Sequence, residues 1–140
     1  LKYADNTLAA RYSHAPDYFE TAVAAIEEMY RQRGPVRFEG DLLKSGVIIR
    51  HLILPGHRAD SAAVLRKIAE TVPVENIRLS LMAQYTPEFL PEDPVEKYKK
   101  IRRRITSFEY SAVLDESERL GFEGYSQERT SATKKYTPDF

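Results

Sequence analysis

The chain has 140 residues, of which 42% are hydrophobic and 30% charged, and its 21 basic and 21 acidic side chains cancel to a formal net charge of zero. That length and balance suit one globular domain or a piece of a larger one, with no global field drawing it toward nucleic acid or an anionic membrane. Cysteine is absent, which excludes disulfides, thiolate metal ligation and a thiol nucleophile within these residues.

No apolar run approaches bilayer length and the N-terminus lacks a signal-peptide pattern, so a cytoplasmic protein is expected. The chain opens with Leu inside what reads as an element, which is expected of a fragment or a processed product. "LKYAD" reads as a strand end running into a loop. "APDYFETAVAAIEEMYRQRG" predicts a helix, with Pro16 in the first turn, Asp17 and Glu20 at its positive end, Arg31 and Arg33 at the other, and Gly34 closing it. "VRFEGDLLKSGVIIRHLIL" predicts a short strand, a turn at Gly40–Asp41 longer than a two-residue hairpin loop, and a longer strand ending at Pro55–Gly56. "ADSAAVLRKIAETVP" predicts a helix capped by Asp60 or Ser61, and residues 76–85 a further strand. A loop bearing Pro87, Pro91 and Pro94 follows, then a helix from about Ser107 to Gly121, the short strand "FEGYSQE" and a polar tail. The expected division is a domain over 1–128 and a tail over 129–140.

Strands alternating with helices predict an α/β protein with parallel strands and helical crossovers, either a doubly wound sheet or a β/α barrel. In both, ligands gather beyond the C-terminal ends of the strands. Strand alternation puts Val47, Ile49, His51 and Ile53 on one face and Ile48, Arg50, Leu52 and Leu54 on the other. A guanidinium on an inward face needs an anion, and its planar fork suits a carboxylate or phosphate; the alternatives are an edge strand with Arg50 reaching into solvent, or an internal Asp or Glu as its partner. Lys2, Gln84 and Tyr85 stand at other strand ends and offer a cation, an amide and a phenol. "EKYKKIRRRIT" holds six Lys or Arg, but Ile101 and Ile105 give it one apolar edge, so it reads as a solvated surface rather than a nucleic-acid site. Glu109, Asp115, Glu116 and Glu118 read as an exposed acidic helix face. His14, His51 and His57 are not spaced as metal ligands, although His51 and His57 flank the Pro-Gly turn and could meet. No side chain is assigned a catalytic or metal-binding role.

Taken in order, "LKYADN", "GVIIRHLILPGH", "LSLMAQYTP", "RRIT" with "EY", and "LGFEGYSQE" resemble the C-terminal half of radical S-adenosylmethionine proteins, in particular homologues of pyruvate formate-lyase activating enzymes. The resemblance runs over nearly the whole chain. It implies half of a partial β/α (TIM-like) barrel. In that family a [4Fe–4S] cluster on three cysteines cleaves S-adenosylmethionine to a 5′-deoxyadenosyl radical, which abstracts hydrogen from a substrate such as a glycyl radical enzyme. It also implies that Arg50 matches the arginine of the fifth strand that helps bind S-adenosylmethionine. Lys2 matches the lysine closing a "D-x-K" motif whose Asp this chain does not contain. Gln84 or Tyr85 stands where a ligand-contacting histidine ends the sixth strand. With no cysteine the piece holds no cluster by itself and is expected to be inactive alone, while the full-length parent would bind both cofactors. The expected partners are a protein substrate met through the Pro87–Pro94 loop or the tail, and further copies of the chain joined through unpaired strand edges. The competing expectation is a non-catalytic α/β module that holds a protein or anionic partner.

Overall fold

The computed structural model describes residues 1–90 and 96–126. Pro91, Pro94, the boundary expected at 128 and the tail 129–140 lie outside the described residues. The elements run α1 (Asn6–Ser13), α2 (Tyr18–Arg33), β1 (Arg37–Glu39), β2 (Leu42–Ser45), β3 (Ile48–Leu52), α3 (Arg58–Thr71), β4 (Arg78–Met82), α4 (Ser107–Arg119) and β5 (Gly124–Ser126). Short 3-10 segments occupy Val74–Asn76, Pro87–Phe89 and Glu96–Ile101. Strands β3, β4 and β5 form a parallel sheet in that order, each step crossed by one long helix, so the α/β expectation holds.

The sheet extends past β3 by one rung. The Leu1 amine donates to the Arg50 carbonyl at 2.6 Å, and the Leu52 N–H donates to the Leu1 carbonyl at 3.0 Å. That pair of bonds, straddling His51, is the parallel ladder pattern.

Four local expectations are corrected. Residues 6–13 form a helix rather than a loop: the Asp5 carboxylate caps it by accepting from the Thr7 N–H at 2.7 Å, and His14 ends it in the left-handed region at φ 53°. The Gly40–Asp41 turn is a two-residue hairpin loop between antiparallel β1 and β2, with Gly40 at φ 58° where a side chain would be strained. The long strand is broken at Gly46, where φ is 127° and an added Cβ would lie 2.6 Å from the Val36 Cα, so the chain bends before β3 starts. Neither Asp60 nor Ser61 caps α3, which begins at Arg58 after His57. Asp60 instead accepts from the Ala4 and Asp5 N–H groups at 2.8–3.2 Å, which ties the N-terminal segment to α3.

Helices cover one face of the sheet. Ile26 of α2, Val64, Leu65 and Ile68 of α3, and Tyr110 and Val113 of α4 pack with Ile49, Ile53, Leu79 and Leu81 in one core. His51 lies in that layer, fully buried, with Nδ1 3.1 Å from the Leu1 carbonyl and no partner for Nε2. Burial, reinforced by the positive charge of the chain terminus and partly offset by the carbonyl bond, pushes its pKa down to about 4. The neutral ring therefore carries its proton on Nδ1. Because this pKa lies below the unfolded value of about 6.5, the stability it contributes is complete above that pH and is lost as pH falls through 4. His51→Leu is expected to remove the part of the stability loss that falls between those two pH values. Urea unfolding across that range checks it, and parallel profiles for the two proteins would contradict it.

Candidate functional site

Among the described residues, no helix covers the opposite face of the sheet. Ile48 is 45% exposed there, Arg50 is exposed, and Leu52, Arg78, Ser80 and Met82 are half-buried. In register, Ile48 lies beside Arg78, Arg50 beside Ser80, and Ser80 beside Tyr125. The Leu1 rung lies opposite His51 and its side chain joins the helix-side core, so alternation places Lys2 next to Leu52 on the open face. Lys2 and Arg50 thus share the open face on a diagonal, with Lys2 level with Leu52 rather than with Arg50. Both side chains are exposed, and neither forms an ion pair among the described residues. The described residues do not enclose Arg50 in a pocket; its side chain is exposed on the sheet surface. Arg78, on the same face, is already engaged by Glu123 at 2.9 Å and stacks over the Phe38 ring.

An aromatic cluster borders this face at the C-terminal end of the strands. Tyr3, Ala9, Leu54 and Ile101 form its buried centre, with Leu52, Tyr12, Tyr18, Tyr85, Leu90 and Tyr98 packed around it. Leu52 belongs to the open face, so the tyrosines begin where the Arg50 surface ends. The Lys2 backbone N–H donates to the Tyr18 hydroxyl at 3.0 Å, and the Tyr3 and Ser13 hydroxyls lie 2.9 Å apart. The Tyr12 hydroxyl is 3.0 Å from His57 Nε2. Of the sequence candidates, Lys2 and Arg50 lie on the same face, Tyr85 joins the aromatic cluster, and Gln84 is half-buried two residues past β4. Burial raises the Tyr85 pKa, with Tyr3, Tyr12 and Glu88 adding to the effect. His51 and His57 bond to different partners, and no group of three metal-ligating side chains occurs among the described residues.

The acidic-face expectation fails for Glu109, which is 7% exposed. Its carboxylate takes the Arg103 fork at 2.7 and 2.8 Å, the Gly56 N–H at 2.7 Å, and the Thr106 N–H and hydroxyl at 2.9 and 3.0 Å. The Thr106 hydroxyl in turn accepts from the Glu109 N–H, completing a capping box at the start of α4. One side chain therefore ties the Pro-Gly turn after β3 to the next helix. The Arg103 guanidinium, aided by the Thr106 and Gly56 donors, holds this carboxyl well below the usual range against the opposing effect of burial. The "T-x-x-E" spacing at Thr106–Glu109 is a readable capping signal that the charge pattern obscured.

The basic run is mostly engaged internally. Arg103 pairs with Glu109, Arg104 with Glu88 and Lys99 with Glu96, while Lys97 lies over the Tyr98 ring. No helix among the described residues is long and apolar enough to cross a membrane.

No family model, curated protein or solved structure matches this chain. The geometry and chemistry of its own residues therefore carry the functional reading.

Proposed function

We propose that this chain is the C-terminal half of a radical S-adenosylmethionine partial barrel, and that the helix-free face of its parallel sheet holds the methionine end of S-adenosylmethionine. The observation that carries this reading is that Lys2 and Arg50 share the open face on a diagonal, both exposed and without an acidic partner among the described residues. In a β/α barrel the face opposite the helices is the interior, and parallel strands crossed by helices on one side only are its building unit. Two cations fixed by backbone ladders are suited to a carboxylate: Arg50 by its bidentate fork, Lys2 as a point charge. The bordering tyrosines supply apolar, hydroxyl-bearing walls beside that charge.

The residues present fit the S-adenosylmethionine carboxylate. They do not fit the iron–sulfur cluster, because no cysteine stands among the 140. The cluster's ligands would belong to the other half of the barrel, so no step through it is assigned to these residues. Their part is to bind and orient the sulfonium ligand. The parent protein would act on a substrate such as a glycyl radical enzyme, with the exposed Leu42 available for contact with other chains.

The test is the complete gene product. Its reading frame is expected to encode three cysteines spaced three and two residues apart. After anaerobic reconstitution with iron and sulfide it is expected to release 5′-deoxyadenosine from S-adenosylmethionine. A reconstituted protein that binds no S-adenosylmethionine would overturn the assignment. The second reading, a non-catalytic module for an anionic partner, is favoured instead if the frame encodes no cysteine triad and Arg50 still controls anion binding.

A further inference from the structure

Strand β5 ends the sheet among the described residues, and all three of its residues are exposed. The Leu79 N–H donates to the Glu123 carbonyl at 3.0 Å, and Ser80 stands level with Tyr125. Glu123 and Tyr125 therefore turn their backbone groups toward β4, and alternation along the ladder turns those of Gly124 and Ser126 outward. Outward N–H and C=O groups on an edge strand are a template for a further strand.

Beside that edge, on the helix side of the sheet, lies a cleft of about 150 Å³. Leu79, Leu81, Leu114 and Phe122 give it an apolar lining, and the exposed Glu118 and Glu123 add carboxylates. Small-molecule pockets begin at roughly 300 Å³, so this space suits one apolar side chain rather than a free ligand. The charge selects the occupant. No basic side chain lines the cleft among the described residues, Glu118 forms no ion pair there, and Glu123 is shared with Arg78. Two copies of the chain joined edge to edge about a two-fold axis would set one acidic cleft against the other, like charge facing like.

We propose that the β5 edge and this cleft form a docking site for an extended segment of another protein, one carrying a leucine or aromatic residue with Lys or Arg two positions away. The segment adds as a strand on the outward backbone groups of Gly124 and Ser126. Side chains two apart share one face of a strand, so the apolar residue enters the cleft while the cation beside it meets Glu118. The site lies on the other side of the sheet from Arg50 and does not rest on the cofactor assignment above.

The probe is the peptide fluorescein-GTKTFTKTG-amide, titrated with the 140-residue chain at low salt and read by fluorescence anisotropy. Saturable binding is expected, weakened about tenfold when glycine replaces the peptide's phenylalanine, the cost of losing one buried ring. Ser126→Pro removes an outward N–H and spares the ladder to β4, and it is expected to weaken binding about fivefold. Glu118→Lys, a surface change, is expected to do the same by about fivefold, with the difference from the parent shrinking at high salt. No saturable binding, or an unchanged affinity in either protein variant, overturns the proposal. A gain in affinity in Tyr136→Ala would give the cleft to the chain's own C-terminal segment and also overturns it. So does a dimer, seen by sedimentation, that the peptide fails to dissociate, since a second copy would then hold the edge.

Discussion

Glu109→Ala is expected to cost about 3 kcal/mol of stability, the largest loss from any polar side chain among the described residues. The reason is position rather than charge. The carboxylate satisfies the Gly56 N–H and the Thr106 N–H and hydroxyl as well as the Arg103 fork, so its removal leaves several donors without an acceptor at once. It also uncouples the turn after β3 from the start of α4. Arg103→Ala is expected to cost only about 1 kcal/mol, because that guanidinium is half exposed and its pairing is screened by water. Glu109→Gln, which retains an acceptor without the charge, falls between them. Urea unfolding of the three variants measures the order, and an Arg103 loss equal to the Glu109 loss would show that the ion pair alone matters.

The same carboxyl predicts an acid limb. Its folded-state pKa lies below the unfolded value of about 4.3, so its stabilisation is complete above that pH and fades as pH falls through and beyond the usual carboxylate range. The stability gap between the parent chain and Glu109→Ala is therefore widest above about pH 5 and narrows with acid. This window lies below the one set by His51, so two variants separate the two titrations.

Arg50→Ala is expected to weaken S-adenosylmethionine binding by the complete protein by about 10- to 100-fold, the range for losing a charge-assisted pair. Arg50→Lys keeps the charge and loses the fork, so it should recover part of that affinity. Lys2→Ala should cost a few-fold, since a flexible ammonium on an exposed face is strongly hydrated. Both losses should shrink at high salt because the face is open. Equilibrium dialysis under anaerobic conditions reads the constants, and an Arg50→Ala affinity within twofold of the parent would remove the residue from the site.

The parallel sheet and its covering helices were legible because period-2 and period-3.6 patterns alternate along the chain. The Arg50 face followed from parity alone: Ile49, His51 and Ile53 went to the core, and Arg50 to the other side. What parity does not carry is anything set by two distant segments. Asp60 read as a local helix cap but bonds to backbone 55 and 56 residues away in sequence. Glu109 read as a solvated charge because its helix is acidic, although its partners lie on a turn 53 residues earlier and on its own capping box. The residues of α1 looked like loop because Asn6, Ser13 and His14 are weak helix formers, and the decisive Asp5 cap sits outside the helix. The tyrosine cluster gave no local signal, since its members come from four separate stretches of chain.

The most direct test of the central claim compares two ligands on two proteins: S-adenosylmethionine and its decarboxylated analogue, each titrated into the complete protein and into its Arg50→Ala variant. If Arg50 holds the carboxylate, the parent favours S-adenosylmethionine over the analogue by about tenfold or more and the variant loses most of that preference. If both proteins discriminate equally, the guanidinium on the open face is not the carboxylate's partner.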